Sequence, residues 1–412
     1  MAEGMDLDVA VIGAGAAGLA AARTLVDAGI DTLVVEARPR VGGRAWTALH
    51  VATPLDLGCG WLHSAEVNPW TTMARRMGFT VDRTPSRWGE QYHGLGFSPA
   101  EQEAFHEAAT AFYARLGAAA HAGAEGRASG LLDPGGRWNA LLGAIGTYID
   151  GAELDRISII DHERYADTQA NWRVREGYGT AVAAMGHGLA LTLDCPVTTV
   201  DSRGPCIRLA TPHGDILARA VVVTVPTTVL ATERLTFLPA RPDKLAAAHG
   251  LPLGVANKLM LRVKVPEHLP QDAHVFGSTT RVATGSYHLR PLGRPTVEGY
   301  YGGELAKELE RGGIAAFTAF ALDELAGLFG AEIRAKLEPI VATAWSRDPF
   351  SLGSYSHALP GHADDRQVLA ADIDGRIYFA GEACSRHDYS TAHGAYRTGV
   401  AAARAIIAAR AG

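Results

Sequence analysis

Three glycines near the start of the chain have the spacing that a dinucleotide-binding turn requires. Gly13, Gly15 and Gly18 follow a short apolar run and open an Ala- and Leu-rich segment with helical periodicity. The first glycine permits a tight turn, the second lets a pyrophosphate approach the backbone, and the third lets helix and strand pack closely. The free N–H groups of the helix N-terminus, at Ala16 and Ala17, would face the phosphates.

A carboxylate at the end of the next predicted strand indicates which nucleotide is bound. The strand spans Thr32–Val35, and Glu36 follows it, 18 residues after Gly18. At that position a carboxylate accepts hydrogen bonds from both hydroxyls of a ribose. Its charge would repel a ribose 2′-phosphate, so the segment predicts an adenine dinucleotide.

The residues that follow Glu36 favour a flavin dinucleotide over a nicotinamide one. Arg38, Arg40 and the run Gly42-Gly43-Arg44 place a second glycine turn and fixed cations where a pyrophosphate would pass. A surface loop with solvated arginines is the alternative. The segment EARPRVGGR resembles the second dinucleotide motif of the flavin-containing amine oxidase superfamily, which implies a tightly held FAD.

Composition restricts the class of protein. The 412 residues are 47% apolar and 20% charged, enough for two to three domains, and a formal net charge of −6 argues against a nucleic-acid partner. Four scattered cysteines without C-x-x-C spacing predict neither disulfides nor a metal site and favour a reducing compartment. We find no room for a secretory signal and no apolar run of about twenty residues. A cytoplasmic protein without a membrane anchor is therefore expected.

Two glycines and an aromatic run resemble a segment that lies along the flavin in the same superfamily. Gly58 and Gly60 leave little side chain between the backbone and a neighbouring group, and Trp61, Leu62 and His63 stand beside them. The run is similar to the G-x-x-W-[IL]-H segment of spermine and acetylpolyamine oxidases. The resemblance implies that the backbone follows the isoalloxazine and that His63 borders the substrate. A loop histidine without a role is the alternative.

A lysine in an apolar strand is the residue to which the resemblance assigns redox chemistry. In LGVANKLMLRV, Lys258 shares a face with Ala256 and Met260, opposite Leu259 and Leu261. A lysine in apolar surroundings is costly unless it has a task. In the family, the lysine of this N-K-[LIM] context bridges through water to flavin N5 and assists the reduction of oxygen. A lysine on a solvated strand face is the alternative.

The segment AWSRDPFSLGSYS resembles the polyamine oxidase branch of the superfamily. It supplies Trp345 and Tyr355, and Tyr355 matches one tyrosine of the aromatic sandwich that holds an amine before the flavin. Thr391 stands where monoamine oxidases carry the second tyrosine, so the cage would suit a long aliphatic or secondary amine. Ser354 replaces the cysteine that links monoamine oxidases to FAD, which implies a non-covalent flavin.

The last motif, FAGEACSRHDYSTAHGA, predicts a strand, a turn and a helix. Gly381 and Glu382 match the family's F-A-G-E, whose carboxylate bonds to ribitol or to groups near the pyrophosphate. The helix that begins near Ser390 would aim its N-terminus at the flavin pyrimidine.

Earlier in the chain, a strand over residues 192–200 would deliver Val197 to the adenine, and Pro226 matches the family's T-x-P segment. We assign Trp88 to the core.

Together, the motifs and the resemblance predict an α/β fold with a Rossmann-like FAD-binding domain interleaved with an α+β substrate domain that contains an antiparallel sheet. The FAD domain is predicted over residues 1–72, 174–250 and 350–412, and the substrate domain over 73–173 and 251–349. The residues assigned to the substrate side and catalysis are Lys258, Tyr355, His63, Thr391 and Trp345. Those assigned to the cofactor are Gly13, Gly15, Ala16, Ala17, Gly18, Glu36, Ala37, Arg38, Gly42, Gly43, Arg44, Gly58, Gly60, Trp61, Leu62, Val197, Pro226, Trp345, Tyr355, Gly381, Glu382, Ser390 and Thr391.

The resemblance implies an FAD-dependent oxidase that acts on CH–NH or CH–NH2 groups of a small polyamine-like amine. The imine hydrolyses to an aldehyde, and O2 becomes H2O2. An L-amino-acid oxidase remains open because Arg173, Arg175 or Arg262 could bind a carboxylate. A carotenoid-type desaturase and a non-catalytic FAD scaffold are further alternatives. No metal, nucleic-acid or membrane partner is expected, and a homodimer is left open.

Overall fold

The structure is a computed structural model that describes residues 7–411 of the chain, with twelve α-helices and nineteen strands in that part. The helices are α1 (Ala16–Asp27), α2 (Pro69–Arg76), α3 (Pro99–His121), α4 (Asn139–Asp150), α5 (Ile159–Arg164), α6 (Tyr178–Ala184), α7 (Thr227–Ala231), α8 (Pro242–Gly250), α9 (Gly303–Phe329), α10 (Ile333–Lys336), α11 (Asp365–Ala370) and α12 (Ala392–Ala411). The strands are β1 (Leu7–Ile12), β2 (Thr32–Val35), β3 (Thr47–His50), β4 (Thr53–Asp56), β5 (Val81–Asp82), β6 (Arg173–Val174), β7 (Ala190–Thr192), β8 (Thr199–Asp201), β9 (Ile207–Thr211), β10 (Gly214–Val223), β11 (Thr236–Leu238), β12 (Leu253–Gly254), β13 (Ala256–Val263), β14 (Ala273–Phe276), β15 (Ser286–Leu289), β16 (Thr296–Gly302), β17 (Leu337–Ala342), β18 (Tyr355–Ser356) and β19 (Ile377–Phe379).

The first sheet places the N-terminal glycine turn at the carboxyl end of a buried parallel strand. Its order is β11-β8-β9-β10-β1-β2-β7, with β19 beside β10, and β1 is parallel to both β2 and β10. Val9, Ala10 and Val11 are fully buried because helices cover both faces, as parallel sheets require. The predicted strand over residues 192–200 is wrong: β7 ends at Thr192, and β8 starts only at Thr199.

The second sheet is antiparallel and carries two chemically different faces. Its order is β14-β15-β16-β13-β17. Leu259, Leu261 and Tyr301 point to the face that packs against α9, whereas Lys258 and Tyr300, which are directly opposite each other on β13 and β16, point to the other face. The alternation predicted for LGVANKLMLRV is therefore observed, because a strand presents every second residue to the same side.

Helices α3, α4 and α5 form a third layer with a small core of its own. Phe112 and Leu116 of α3 pack there against Leu142 of α4 and Ile159 of α5. The predicted α/β fold class, with a dinucleotide sheet and a separate antiparallel sheet, is confirmed. The two sheets draw on different segments of the chain, while the exact domain boundaries stay predictions.

Helix α9 corrects one expectation from composition. It is long and apolar enough to cross a membrane by length and composition, although no apolar run of that kind was expected. Gly313 interrupts it with a left-handed backbone, at φ 66°. Leu305, Leu309, Phe317 and Leu325 bury one face of the helix against the antiparallel sheet.

A fully buried ion pair joins α5 to α11, and hence a predicted substrate segment to a predicted cofactor segment. Arg366 donates from Nε to Asp161 Oδ1 at 2.6 Å and from Nη2 to Asp161 Oδ2 at 2.8 Å. Both side chains are at most 2% exposed. Because a bidentate pair in this setting satisfies both charges, removing one partner would leave the other buried and unpaired.

We expect Asp161→Asn to lower the free energy of unfolding by about 3–5 kcal/mol, because Arg366 keeps its charge without a counter-ion. Urea unfolding followed by circular dichroism measures the change. Arg164→Gln is the matched control, since Arg164 of the same helix pairs with Asp364, whose side chain is 75% exposed. The control should cost less than about 1 kcal/mol. Equal losses in the two variants would contradict this account.

Candidate functional site

The N-terminal turn contains three glycines, and a different physical reason favours glycine at each position. Gly13 has φ +104°, a region that side chains disfavour, and a Cβ at Gly18 would lie 1.9 Å from the Gly13 carbonyl oxygen. A Cβ at Gly15 would meet only Gly42 and Gly43 atoms at 4.0 Å. The protein itself therefore has room for a side chain at Gly15, and the cavity in front of it is the space that a pyrophosphate would occupy.

Glu36 is held in the position that ribose recognition needs. Its Oε2 accepts from Ala14 N at 2.7 Å and its Oε1 accepts from Arg38 N at 2.8 Å. The residue is 3% exposed and borders the cavity. Each carboxylate oxygen retains a lone pair, so the side chain can accept the ribose hydroxyls.

Two of the arginines that border the cavity are fixed by carboxylates. Arg38 donates to Asp348 at 2.6 Å, and Arg44 donates to Glu382 at 2.8 Å. Arg40 departs from the prediction: it stacks on Trp46 and donates to the Gly43 carbonyl, outside the cavity lining. It supports the second glycine turn and does not face the ligand space.

Glu382 is occupied by protein donors. Its Oε2 accepts from Ser356 Oγ at 2.6 Å and from Ser390 N at 2.9 Å, in addition to the Arg44 pair on Oε1. The pKa of this carboxyl is lowered: burial opposes ionisation, but the charges of Arg44 and Arg366 and the Ser356 hydroxyl outweigh it. Glu382 thus orients Arg44 and the segment that leads into α12.

One cavity of about 1060 Å³ connects the glycine turn to the helical layer. Of the residues predicted for the site, all border this cavity except Gly18, Arg40 and Leu62. Gly18 packs α1 on the turn, as expected for the third glycine. Leu62 was predicted to contact the cofactor, and this prediction is corrected: its side chain is fully buried in the core, and its backbone pairs with Trp172.

Lys258 lies in this cavity with its ammonium almost completely buried. Its Nζ donates to the Asp56 carbonyl oxygen and to Glu298 Oε1, each at 2.9 Å. Burial by itself lowers the pKa of Lys258, but the nearby carboxylates of Glu298 and Asp56 raise it above its ordinary value. Asn257, on the opposite face, fixes the strand because its Oδ1 accepts from Thr343 Oγ1 at 3.0 Å.

A row of tyrosines continues from Lys258 into the helical layer. Tyr355 Oη lies 2.9 Å from Tyr300 Oη and donates to the Tyr148 carbonyl at 2.6 Å. Burial raises the pKa of Tyr355 well above its ordinary value, so its hydroxyl stays neutral. Trp345 Nε1 donates to the Leu57 carbonyl at 3.2 Å, so its ring is fixed at the cofactor end.

His63 and the tryptophans beside it form one wall. His63 Nδ1 lies 2.7 Å from Asn171 Oδ1, and burial lowers the pKa of the imidazole although this hydrogen bond opposes the effect. Trp61 meets Trp88 edge-on, with ring centroids 4.6 Å apart. Trp88 therefore borders the cavity, contrary to its assignment to the core.

Thr391 caps the start of α12 by accepting from Gly394 N at 2.9 Å.

The cavity is also bordered by a buried acid that sequence reasoning missed. Asp150 is the last residue of α4, its side chain is 3% exposed, and its Oδ2 has no hydrogen-bond partner in the protein. His162 Nδ1 lies 3.7 Å from Oδ2, beyond hydrogen-bonding distance. Burial lowers the pKa of His162, but the facing Asp150 raises it overall.

We expect Gly15→Ala to fold and to lose its bound FAD, because the added methyl enters the ligand space and not the protein. The ratio of flavin to protein absorbance should drop at least tenfold, while the circular dichroism of the protein stays unchanged. Gly18→Ala is the contrast: its methyl would strike the Gly13 carbonyl, so this variant should lose thermal stability. A Gly15→Ala protein with full flavin content would contradict the proposed course of the pyrophosphate.

Comparison with known proteins agrees with this geometry. The family of flavin containing amine oxidoreductases matches residues 16–112 and 119–407. Polyamine oxidase 2 of Arabidopsis thaliana is 28% identical over 96% of this chain and 87% of its own length. Lysine-specific histone demethylase 1 homolog 3 of Oryza sativa subsp. indica is 27% identical over 95% of this chain and 53% of its own length.

A solved structure of putrescine oxidase bound to putrescine shares the fold. It superposes with a TM-score of 0.78 at 21% identity, over 98% of this chain and 99% of the other. The glycine turn, the ribose-binding carboxylate and the fixed arginines fit FAD, and Ser354 is engaged in hydrogen bonds with the Ala256 backbone. The chain belongs to the family of flavin-containing amine oxidoreductases and is an FAD-dependent amine oxidase that holds its flavin without a covalent bond.

Proposed function

We propose that the protein oxidises a polyamine-like amine that carries a second, cationic nitrogen, with O2 as the electron acceptor. The reaction R–CH2–NH2 + O2 + H2O → R–CHO + NH3 + H2O2 balances for a primary amine, and a secondary amine releases the corresponding amine in place of ammonia. The names of the similar polyamine and putrescine oxidases support this class of substrate. A cytoplasmic location, the absence of a membrane partner and a homodimer stay predictions.

The unpartnered oxygen of Asp150 is the observation that carries the proposal. A buried carboxylate oxygen without a donor is unfavourable, and a substrate ammonium would supply both charge and hydrogen bonds. Tyr113, Tyr148 and Tyr165 border the same part of the cavity. Their rings favour the methylene chain and the cation of such a substrate. A monoamine would leave Asp150 Oδ2 without a hydrogen-bond donor.

The reacting nitrogen would lie between Tyr355 and the cofactor. Bound FAD would accept a hydride equivalent from the C–H beside that nitrogen. Tyr355 and Tyr300 hold each other through their hydroxyls, so the Tyr355 ring is fixed while it contacts the amine. Lys258 supplies a positive charge near the site of oxygen reduction, where negative charge develops.

An amino-acid substrate is disfavoured by the positions of the three candidate arginines. Arg173 pairs with Asp272, Arg175 pairs with Asp82, and Arg262 pairs with Glu338. None of them borders the cavity; the arginines that do, within the described residues, are Arg38, Arg44 and Arg234. Arg38 and Arg44 are themselves paired with Asp348 and Glu382, so a substrate carboxylate would have to compete with these carboxylates.

Replacing Asp150 should affect diamines selectively. For Asp150→Asn we expect KM for a diamine of optimal length to rise about 10–100-fold, since a charged hydrogen bond contributes roughly 1.5–3 kcal/mol. The KM for the monoamine of equal chain length should change less than threefold. A peroxide-release assay over diamines of increasing length measures both. Asp155→Asn, at an exposed residue of the same segment, is the control, and parallel losses for diamine and monoamine would refute the subsite.

Replacing Lys258 should separate the two half-reactions. In Lys258→Met, reduction of the flavin by amine should stay within about tenfold of the original rate, and reoxidation by O2 should slow by at least about 100-fold, as for removal of a preorganised charge. Stopped-flow absorbance measures each step. Lys264→Met, at an exposed lysine just after β13, is the control. Equal slowing of both steps would rule out the proposed role.

A further inference from the structure

Glu298 is a carboxylate of the cavity wall for which the sequence analysis found no role. It lies on β16 opposite Met260 of β13, two residue pairs along the ladder from the Lys258–Tyr300 pair. Both side chains therefore point to the same face of the sheet, and Glu298 reaches diagonally to Lys258. The resulting Nζ–Oε1 distance is 2.9 Å, and the side chains are 6% and 19% exposed.

The ammonium of Lys258 is oriented as well as neutralised. Two of its three donors are used by Glu298 and by the Asp56 carbonyl. These partners belong to different parts of the fold, β16 and β4, so Nζ is held from two sides. The remaining donor is free to serve the cavity, into which Lys258 points.

The proposed reaction places two amines with opposite requirements in one cavity. The substrate nitrogen must be neutral, because its lone pair assists departure of the hydride from the neighbouring carbon. Lys258 must be cationic to stabilise negative charge on oxygen. Alkyl amines and lysine lose their protons in the same range, near pH 10, and burial would make Lys258 lose its proton first.

We propose that Glu298 is a positioning residue that keeps Lys258 charged and aimed at the cofactor cradle at the alkaline pH where the substrate amine is neutral. This inference rests on the proposed function for its biological sense. Its physical basis is the ion pair, the shared face of β13 and β16, and the near-complete burial of Nζ.

The other groups around Lys258 do not replace Glu298. From β4, the Asp56 carboxylate is already bound by Thr47 Oγ1 and by Tyr178 N, and burial raises its pKa. From the adjoining loop, burial raises the pKa of Cys59 to about 12 and lowers that of His63, so neither adds a compensating charge at neutral pH.

From β16 itself, Tyr300 stays neutral because burial raises its pKa. Glu298 is thus the carboxylate that contacts Nζ directly among the residues described. Its removal should let burial dominate, which lowers the pKa of Lys258.

The experiment compares Glu298→Gln with Glu338→Gln, a change at a partly exposed glutamate of β17, on the other side of β13. Each holoenzyme is photoreduced without substrate and mixed with O2 between pH 6 and pH 11. The rate constant for reoxidation should fall with rising pH in both proteins, as Lys258 loses its proton. In Glu298→Gln the midpoint of that fall should lie at least about one pH unit lower, the size of shift that an adjacent opposite charge produces.

A second measurement does not depend on turnover. Well below its midpoint, Glu298→Gln should have a more positive flavin reduction potential than the unmodified protein, because a negative charge is gone. Lys258→Met should shift the potential in the opposite direction. A merely structural role of Glu298 would not produce opposite signs in the two variants.

An unchanged midpoint in Glu298→Gln, or a potential that shifts in the same direction as in Lys258→Met, would overturn the inference. If Glu298→Gln fails to retain FAD, Glu298→Asp takes its place. Its shorter carboxylate should give a smaller downward shift, and no shift would again overturn the inference. Because no amine is used, failure here is distinct from failure of the substrate proposal, which the diamine assay tests.

Discussion

A buried ammonium between two sheets is the constraint on which the site depends. Lys258 projects from the antiparallel sheet and is bound from the cofactor side by the Asp56 carbonyl. A charge at 6% exposure is unfavourable without partners, so the strand that carries Lys258 and the β4 segment must keep a fixed separation. That separation sets the width of the cavity in front of the glycine turn. The stability of the buried charge and the relative position of these two chain segments therefore depend on each other.

Because side chains alternate along a strand, one face of the antiparallel sheet packs in the core and the other borders the cavity. Leu259 and Tyr301 complete the apolar face under α9, while their direct neighbours Lys258 and Tyr300 form the polar wall of the cavity. A shift of register by one residue would exchange these faces and bury the wrong set. The hydrophobic packing against α9 therefore fixes the register, and through it the position of the Lys258 ammonium.

Local motifs were predictable because their geometry is fixed by neighbouring residues. The turn at Gly13 and the carboxylate at Glu36 are of this kind, since strand, turn and helix follow each other directly. Predictions that rested only on a residue's position beside motif residues were less successful. Leu62 stands between two cavity residues yet points into the core, and Arg40 stacks on Trp46. Side-chain direction within a loop depends on tertiary packing that the motif does not encode.

The residues that sequence reasoning missed depend on long-range pairing. Glu298 reaches Lys258 only because β16 pairs with β13. The alternation of Glu298 and Tyr300 in TVEGYYGG is the sequence signal that could have placed the two side chains on one strand face. Asp150 ends a helix, where an acid is ordinarily solvated and unfavourable to the helix dipole. Its burial follows from the contact between Gly151 and Gly254, where an added Cβ would lie 2.9 Å from the backbone.

The most direct test of the central claim is anaerobic titration of the purified protein with a short aliphatic diamine, followed by absorbance of the flavin. The account predicts that the diamine bleaches the oxidised flavin spectrum and that admitted O2 restores it, whereas amino acids leave it unchanged. A protein that carries FAD but is bleached by amino acids, or by no amine, would contradict the account.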